Sequence, residues 1–254
     1  MEFFVREDSI VRKIWGSGDT ILFIFAGASA EFALNKAVDW LYFTGKLPSD
    51  PLGRLFSTVG YARAIVFADT KGANKAIDTM TIIHGNVERN RGGAIPDWAY
   101  RDVLFMLIHY SIASFELLER KLTKAEKEEV FDVFYRVGER MGLKGLPHSF
   151  HEWSVMRQQH LNENLQMSKY TKDLFKQYRK HLGFVRYFLL RQAQVLVVPP
   201  RVNKLLHLGS FSSLSLVIPL YKMAKTIKAD WILKSILLPA AYKKQIRDLD
   251  VVPS

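Results

Sequence analysis

Arg54 and Thr58 lie four residues apart, close to one helical turn, so a guanidinium and a hydroxyl fall on one strip of a predicted helix. The arginine is a fixed positive charge suited to a carboxylate or another developing negative charge, and a helix–helix salt bridge uses the same charge. His84 falls inside an apolar stripe made by Ala73, Ala76, Ile77, Met80, Ile83 and Val87 at helical period. An imidazole in that position is either a hydrogen-bonded core residue or an axial ligand whose metal lies inside the protein. His109 sits beside Leu104, Phe105, Leu107, Ile108, Ile112 and Phe115, a second interior-facing imidazole. A modest environmental shift would bring it into proton transfer near neutral pH, and a satisfied core histidine is the alternative. His148, His151 and Glu152 form a third cluster, readable as ligands of a non-haem metal enzyme or as the polar start of a helix.

The rest of the composition narrows the chemistry. The 254 residues suffice for one substantial core, and with 48 % hydrophobic and 13 % aromatic residues most of the chain is expected to fold. There are no cysteines, which removes disulfides, thiolate-ligated haem, cysteine-held iron–sulfur clusters, zinc ribbons and cysteine nucleophiles. No Walker lysine motif, HExxH or GxSxG occurs. The net charge of +11 is uneven: from Ser168 onward there are 16 Lys or Arg against 4 Asp or Glu, leaving 20 against 21 before it. Such an excess suits acidic lipid headgroups, nucleic acid or simple solvation. The opening MEFFVREDSI lacks the pattern of a secretory signal, and the apolar run Ile21 to Ala30 is interrupted by Glu31, Asn35, Lys36 and Asp39 before it could span a bilayer.

The elements that must position these groups read as helices throughout. A short helix is expected at Val11 to Trp15, then a long one from Thr20 to about Thr44, whose Gly27, Ala28, Ala30 and Ala33 admit close approach of another backbone or a flat ligand. Residues Arg54 to Ala68 form the next, and Asp69 or Thr70 caps the helix carrying His84. Thr123 with Glu126 and Ser149 with Glu152 have the form of capping boxes. Gly183 should interrupt a helix beginning near Thr171, and Pro199 and Pro200 should end its continuation. Leu214 to Leu238 is expected to give one or two final core helices, followed by a charged tail. No strand alternation is present, so the fold class is all-α, with an N-terminal segment at 1–19, one helical domain over 20–240 and a tail at 241–254.

The ordered blocks FAGASAEFAL, DPLGRLFST (Asp50 to Thr58), IIHGNV (Ile82 to Val87), AYRDVLFMLIHYSI (Ala99 to Ile112) and KLTKAEKEEVFDVFYRVGERMGL, followed by LP, resemble the MpaB-like oxygenase family, related to latex-clearing rubber oxygenases. The likeness covers roughly residues 20 to 150. It implies an all-helical haem b enzyme in which His84 is the proximal iron ligand, Arg54 and Thr58 stand near the haem pocket, and His109 matches a second recurring histidine. Related enzymes use dioxygen or peroxide to cleave carbon–carbon double bonds of isoprenoid chains, which implies an apolar substrate. Phe25, Phe32, Phe56 and Phe105 are candidate walls of its channel.

Two departures stand out. The His-Pro pair of many relatives is replaced around Gly27 and Ala28, and the lysine that rubber oxygenases carry beside the arginine is absent, since Ser57 precedes Thr58. A basic adaptor without catalytic activity is the competing reading, built on Lys225, Lys228, Lys234, Lys243, Lys244 and Arg247 among Trp231, Ile232 and Tyr242. The expected location is cytoplasmic with peripheral contact to acidic membrane, and no specific nucleic acid is expected.

Overall fold

The computed structural model describes residues 2–45 and 49–226. The charged tail and the basic residues from Lys228 onward lie outside them, as does the side chain of Lys225. The described chain is all-α: α1 Ile10–Trp15, α2 Gly18–Leu34, α3 Val38–Phe43, α4 Pro51–Phe67, α5 Thr70–Arg91, α6 Asp97–Leu118, α7 Lys124–Arg140, α8 Phe150–Glu163, α9 Lys169–Val197, α10 Pro200–Leu206 and α11 Leu214–Thr226. Among the described residues, β pairing is confined to two isolated bridges, Phe3 with Asp69 and Asn35 with Leu165. No helix among them is long and apolar enough to cross a membrane.

Local chemistry explains the boundaries. Asp50 accepts a hydrogen bond from Gly53 N at 2.9 Å while Pro51 opens α4, and Asp69 accepts from Gly72 N at 2.6 Å to start α5. Thr123 and Glu126 close the expected reciprocal box at α7. At α8 the box is only half made: Ser149 accepts from Glu152 N at 3.1 Å, but the Glu152 carboxylate accepts instead from His148 N at 2.8 Å.

The long helix expected from Thr20 to Thr44 is two helices. Asn35 leaves the helical region (φ −64, ψ 134), and its side chain takes over bonding that a helix would supply: Oδ1 accepts from Ala37 N at 2.8 Å and Nδ2 donates to Asp102 at 2.7 Å. Gly183 breaks α9 as expected, at φ 72 and ψ 175. The final helix corrects the sequence reading. In α11, Tyr221 is buried but Leu216, Leu220 and Met223 stand in solvent, so its described part is a surface helix rather than a core one.

At the centre, α2 packs against α6 and α9. The small-residue stretch makes this closeness possible, and the group it admits is neither backbone nor flat ligand. A Cβ on Gly27 would stand 2.2 Å from the Tyr110 ring, which occupies that space. Further along α2, Glu31 is buried and forms a two-pronged ion pair with buried Arg157 of α8, while Tyr110 donates to Glu31 Oε2 at 2.8 Å. A second buried polar set surrounds Asp102, which accepts from Asn35 and from Asn164 Nδ2 at 3.1 Å. His160 Nδ1 lies close to Asp102 Oδ1, out of alignment for a hydrogen bond.

Removing one partner of the Glu31–Arg157 pair strands the other charge in the core. Glu31→Gln is expected to lower unfolding free energy by about 3–5 kcal/mol, measured by urea denaturation. Adding Arg157→Met in the same chain is expected to recover part of that loss, because no lone charge then remains.

Candidate functional site

The candidate site begins where α4 lies against α5. Arg54 is at the end of the first turn of α4, and its Nη1 donates to Thr58 Oγ1 at 3.1 Å. The Thr58 hydroxyl in turn donates to the Arg54 carbonyl at 3.2 Å. The four-residue spacing therefore does bring the two groups into contact, and Thr58 fixes the direction of the guanidinium. Burial lowers the Arg54 pKa from its usual value, with Tyr61 acting in the opposite direction.

His84 is half-buried on α5, facing this charge. Burial is the largest cause lowering its pKa, the Arg54 guanidinium lowers it further, and the Glu88 carboxylate one turn on pulls the other way. All this favours the neutral imidazole. Its ring meets the edge of Tyr100 at 5.2 Å between centroids and 67° between planes. Tyr100 is held in turn, donating to Glu88 Oε1 at 3.1 Å, while Ile95 N donates to the same oxygen at 2.8 Å. The buried Nδ1 of His84 has no hydrogen-bond partner among the described residues.

The apolar stripe that was expected to carry His84 inward fades along the helix. Ala73 and Ile77 are buried, but Ile83 is 40 % exposed. The cause is cover: α5 packs on α4 and α7, and Arg140 of α7 reaches it at Asn74 and Asp78, leaving the later turns less enclosed.

Residues 14–229 match the family described as ER-bound oxygenase mpaB/B'/Rubber oxygenase, catalytic domain. The chain belongs to that family. The match runs well past the blocks near residues 20 to 150 and takes in α8 to α11, so this MpaB-like chain uses nearly all its described helices in the family's catalytic domain. Neither a curated protein nor a solved structure gives a significant match.

Within this MpaB-like domain His109 has different neighbours from His84. Burial and the Arg157 guanidinium push its pKa down to about 3, opposed by a hydrogen bond to the Val197 backbone. The sequence led to an expectation of titration near neutrality; the enclosed site beside a buried cation moves it the other way. Its ring lies edge-on to Tyr110 at 5.0 Å. His109 thus joins the Glu31–Tyr110–Arg157 group.

The four aromatic wall candidates separate in a similar way. Phe25 and Phe56 meet edge to face at 5.7 Å and, like Phe32, are partly buried against the core. Phe105 is fully buried, stacked on His160 at 5.1 Å, and fills the interior. His148, His151 and Glu152 are exposed at the start of α8, and no three metal-ligating side chains converge among the described residues.

The residues missed by sequence reasoning are Glu31, Tyr110, Arg157, Glu88 and Tyr100. One signal was available. A carboxylate closing the small apolar run FAGASAE needs a buried partner if the helix is central, and Arg157 lies in the Trp153, Met156, His160, Leu161 stretch.

The His109 environment makes a pH prediction. An unfolded imidazole titrates near 6.5, whereas the folded one is held near 3. As pH falls through that window the unfolded chain binds a proton that the native state refuses. The contribution is fully present above about 6.5 and is lost on acidification. His109→Gln is expected to flatten the fall in urea midpoint between neutral and mildly acidic buffer relative to the parent protein.

Proposed function

We propose that this chain is a haem b-dependent oxygenase that oxidises a carbon–carbon double bond in an apolar, isoprenoid-type substrate, with His84 as the residue that would hold the haem iron. The observation that carries the reading is the unpartnered, buried Nδ1 of His84 beside the Arg54–Thr58 pair. A metal ligand must be a neutral imidazole, and the surroundings of His84 favour that form. An imidazole nitrogen enclosed without a partner is costly unless a bound group supplies one. The residues present therefore fit the group that the family resemblance implies.

Haem b held by His84 would supply the activation of dioxygen or peroxide, chemistry that no side chain of this chain provides. The protein's part is binding, orientation and charge. Arg54 supplies a positive charge of fixed direction, because Thr58 holds its guanidinium, and it suits a propionate carboxylate or charge developing on a reacting oxygen. Tyr100, tethered by Glu88, packs against the ring of His84 and restrains it. Phe25 and Phe56 offer an apolar wall that keeps water away and receives a hydrocarbon chain. His109, held neutral near neutral pH by burial and Arg157, has the proposed part of positioning Tyr110 rather than exchanging protons.

The test is an optical spectrum of haem-supplemented protein, oxidised and reduced, with haem normalised to protein. A Soret band is expected, lost or displaced in His84→Ala. Prenylated alkenes should yield carbonyl products, and Arg54→Ala should lower kcat by about 100- to 1,000-fold. Protein that takes up no haem, or a variant spectrum identical to the parent, overturns the ligand assignment.

A further inference from the structure

From residue 174 to residue 229 the sequence contains ten Lys or Arg and no Asp or Glu. Much of this stretch is α9, and its surface has two adjacent parts. Lys176, Arg179 and Lys180 are exposed and make no ion pair among the described residues. One turn on, Gly183 takes a positive φ of 72, a conformation that costs glycine little, and the helix is broken there. Immediately after the break Phe184 is 73 % exposed, Val185 67 % and Phe188 46 %. Single exposed apolar side chains are ordinary, but three within five residues beside three free cations are not.

The other face of the same segment points inward. Tyr187 and Leu190 pack against the cluster containing Val38 and Leu52, and Leu52 lies two residues before Arg54 on α4. The exposed apolar turn is thus the outer side of a segment whose inner side supports the candidate site. The same acid-free stretch carries a second apolar strip in α11, where Leu216, Leu220 and Met223 are exposed at helical spacing.

We propose that the Lys176–Phe188 surface of α9 docks the protein onto a bilayer carrying acidic headgroups. The cations meet the lipid phosphates and carboxylates, while the two phenylalanines and Val185 enter the boundary between headgroups and acyl chains. Nucleic acid would use the charges but gains nothing from an aliphatic valine beside them. For the oxygenase proposed above, this contact would bring the site to a substrate dissolved in lipid. The docking itself is independent of that reading.

The experiment is flotation of the haem-loaded full chain with phosphatidylcholine vesicles, with and without phosphatidylserine. Binding is expected only with phosphatidylserine and should weaken as salt is raised. Replacing Lys176, Arg179 and Lys180 together with Gln should weaken partitioning by about 100-fold. Phe184→Ser with Phe188→Ser should weaken it by at least about tenfold. Both variants should keep the parent circular dichroism and haem content. No flotation, or flotation unchanged in both variants, overturns the proposal. So does binding of duplex DNA or self-association that both variants abolish while vesicles are left unbound. Haem-loaded protein that fails to float sinks the docking surface and leaves the oxygenase reading intact; haem-free protein that floats does the reverse.

Discussion

A carboxylate carried into the centre of an apolar helix has to be neutralised there, and in this chain Arg157 does it. Glu31 projects from α2, the helix against which α6 and α9 are packed, and Arg157 comes from α8, far along the sequence. Their pairing therefore ties together two helices across 126 residues of sequence. Tyr110 adds a donor from α6, so three helices meet at one carboxylate. Desolvation makes such a pair a weak source of net stability, but it specifies geometry, because every alternative packing leaves a charge unpaired. Arg157 Nε remains unpartnered among the described residues even so.

The two interior imidazoles show how position alone divides one residue type into two environments. Both are driven toward the neutral form by burial, and each faces an arginine. At His84 the opposing influence is a carboxylate on the same helix, which also anchors a neighbouring tyrosine; at His109 it is a single backbone group. The first leaves an enclosed ring nitrogen without a partner on a half-covered helix face, and the second is closed into the core. A ligand role needs the former, whereas the latter suits a group that keeps its proton.

Much of the helical framework was readable because its signals are local. Asp69 before α5, the Thr123–Glu126 box and Gly183 each act within a few residues, and each is found working as such; α4, by contrast, opens at Pro51 behind an Asp50 cap, ahead of the Arg54 start that was expected. The contact between Arg54 and Thr58 was likewise fixed by helical spacing. What escaped depends on distant partners. Asn35 ends α2 because Asp102 awaits its amide, and nothing near Asn35 in the sequence says so. Ile83 continued the apolar period of α5 yet is partly exposed, since period describes a face and not whether anything covers it. The depressed His109 titration required knowing that Arg157 lay beside it.

The contact between Gly27 and Tyr110 has a consequence for how this chain can diverge. The missing side chain at one position and the ring at the other are two halves of one steric fact, so neither can drift freely in sequence while the other stays. Because the same tyrosine hydroxyl bonds Glu31, the constraint passes on from shape to charge and reaches Arg157. Positions 27, 31, 110 and 157 are thus physically coupled. A bulkier residue at position 27 requires a smaller one at 110 and, with the hydroxyl gone, a new arrangement of the buried pair.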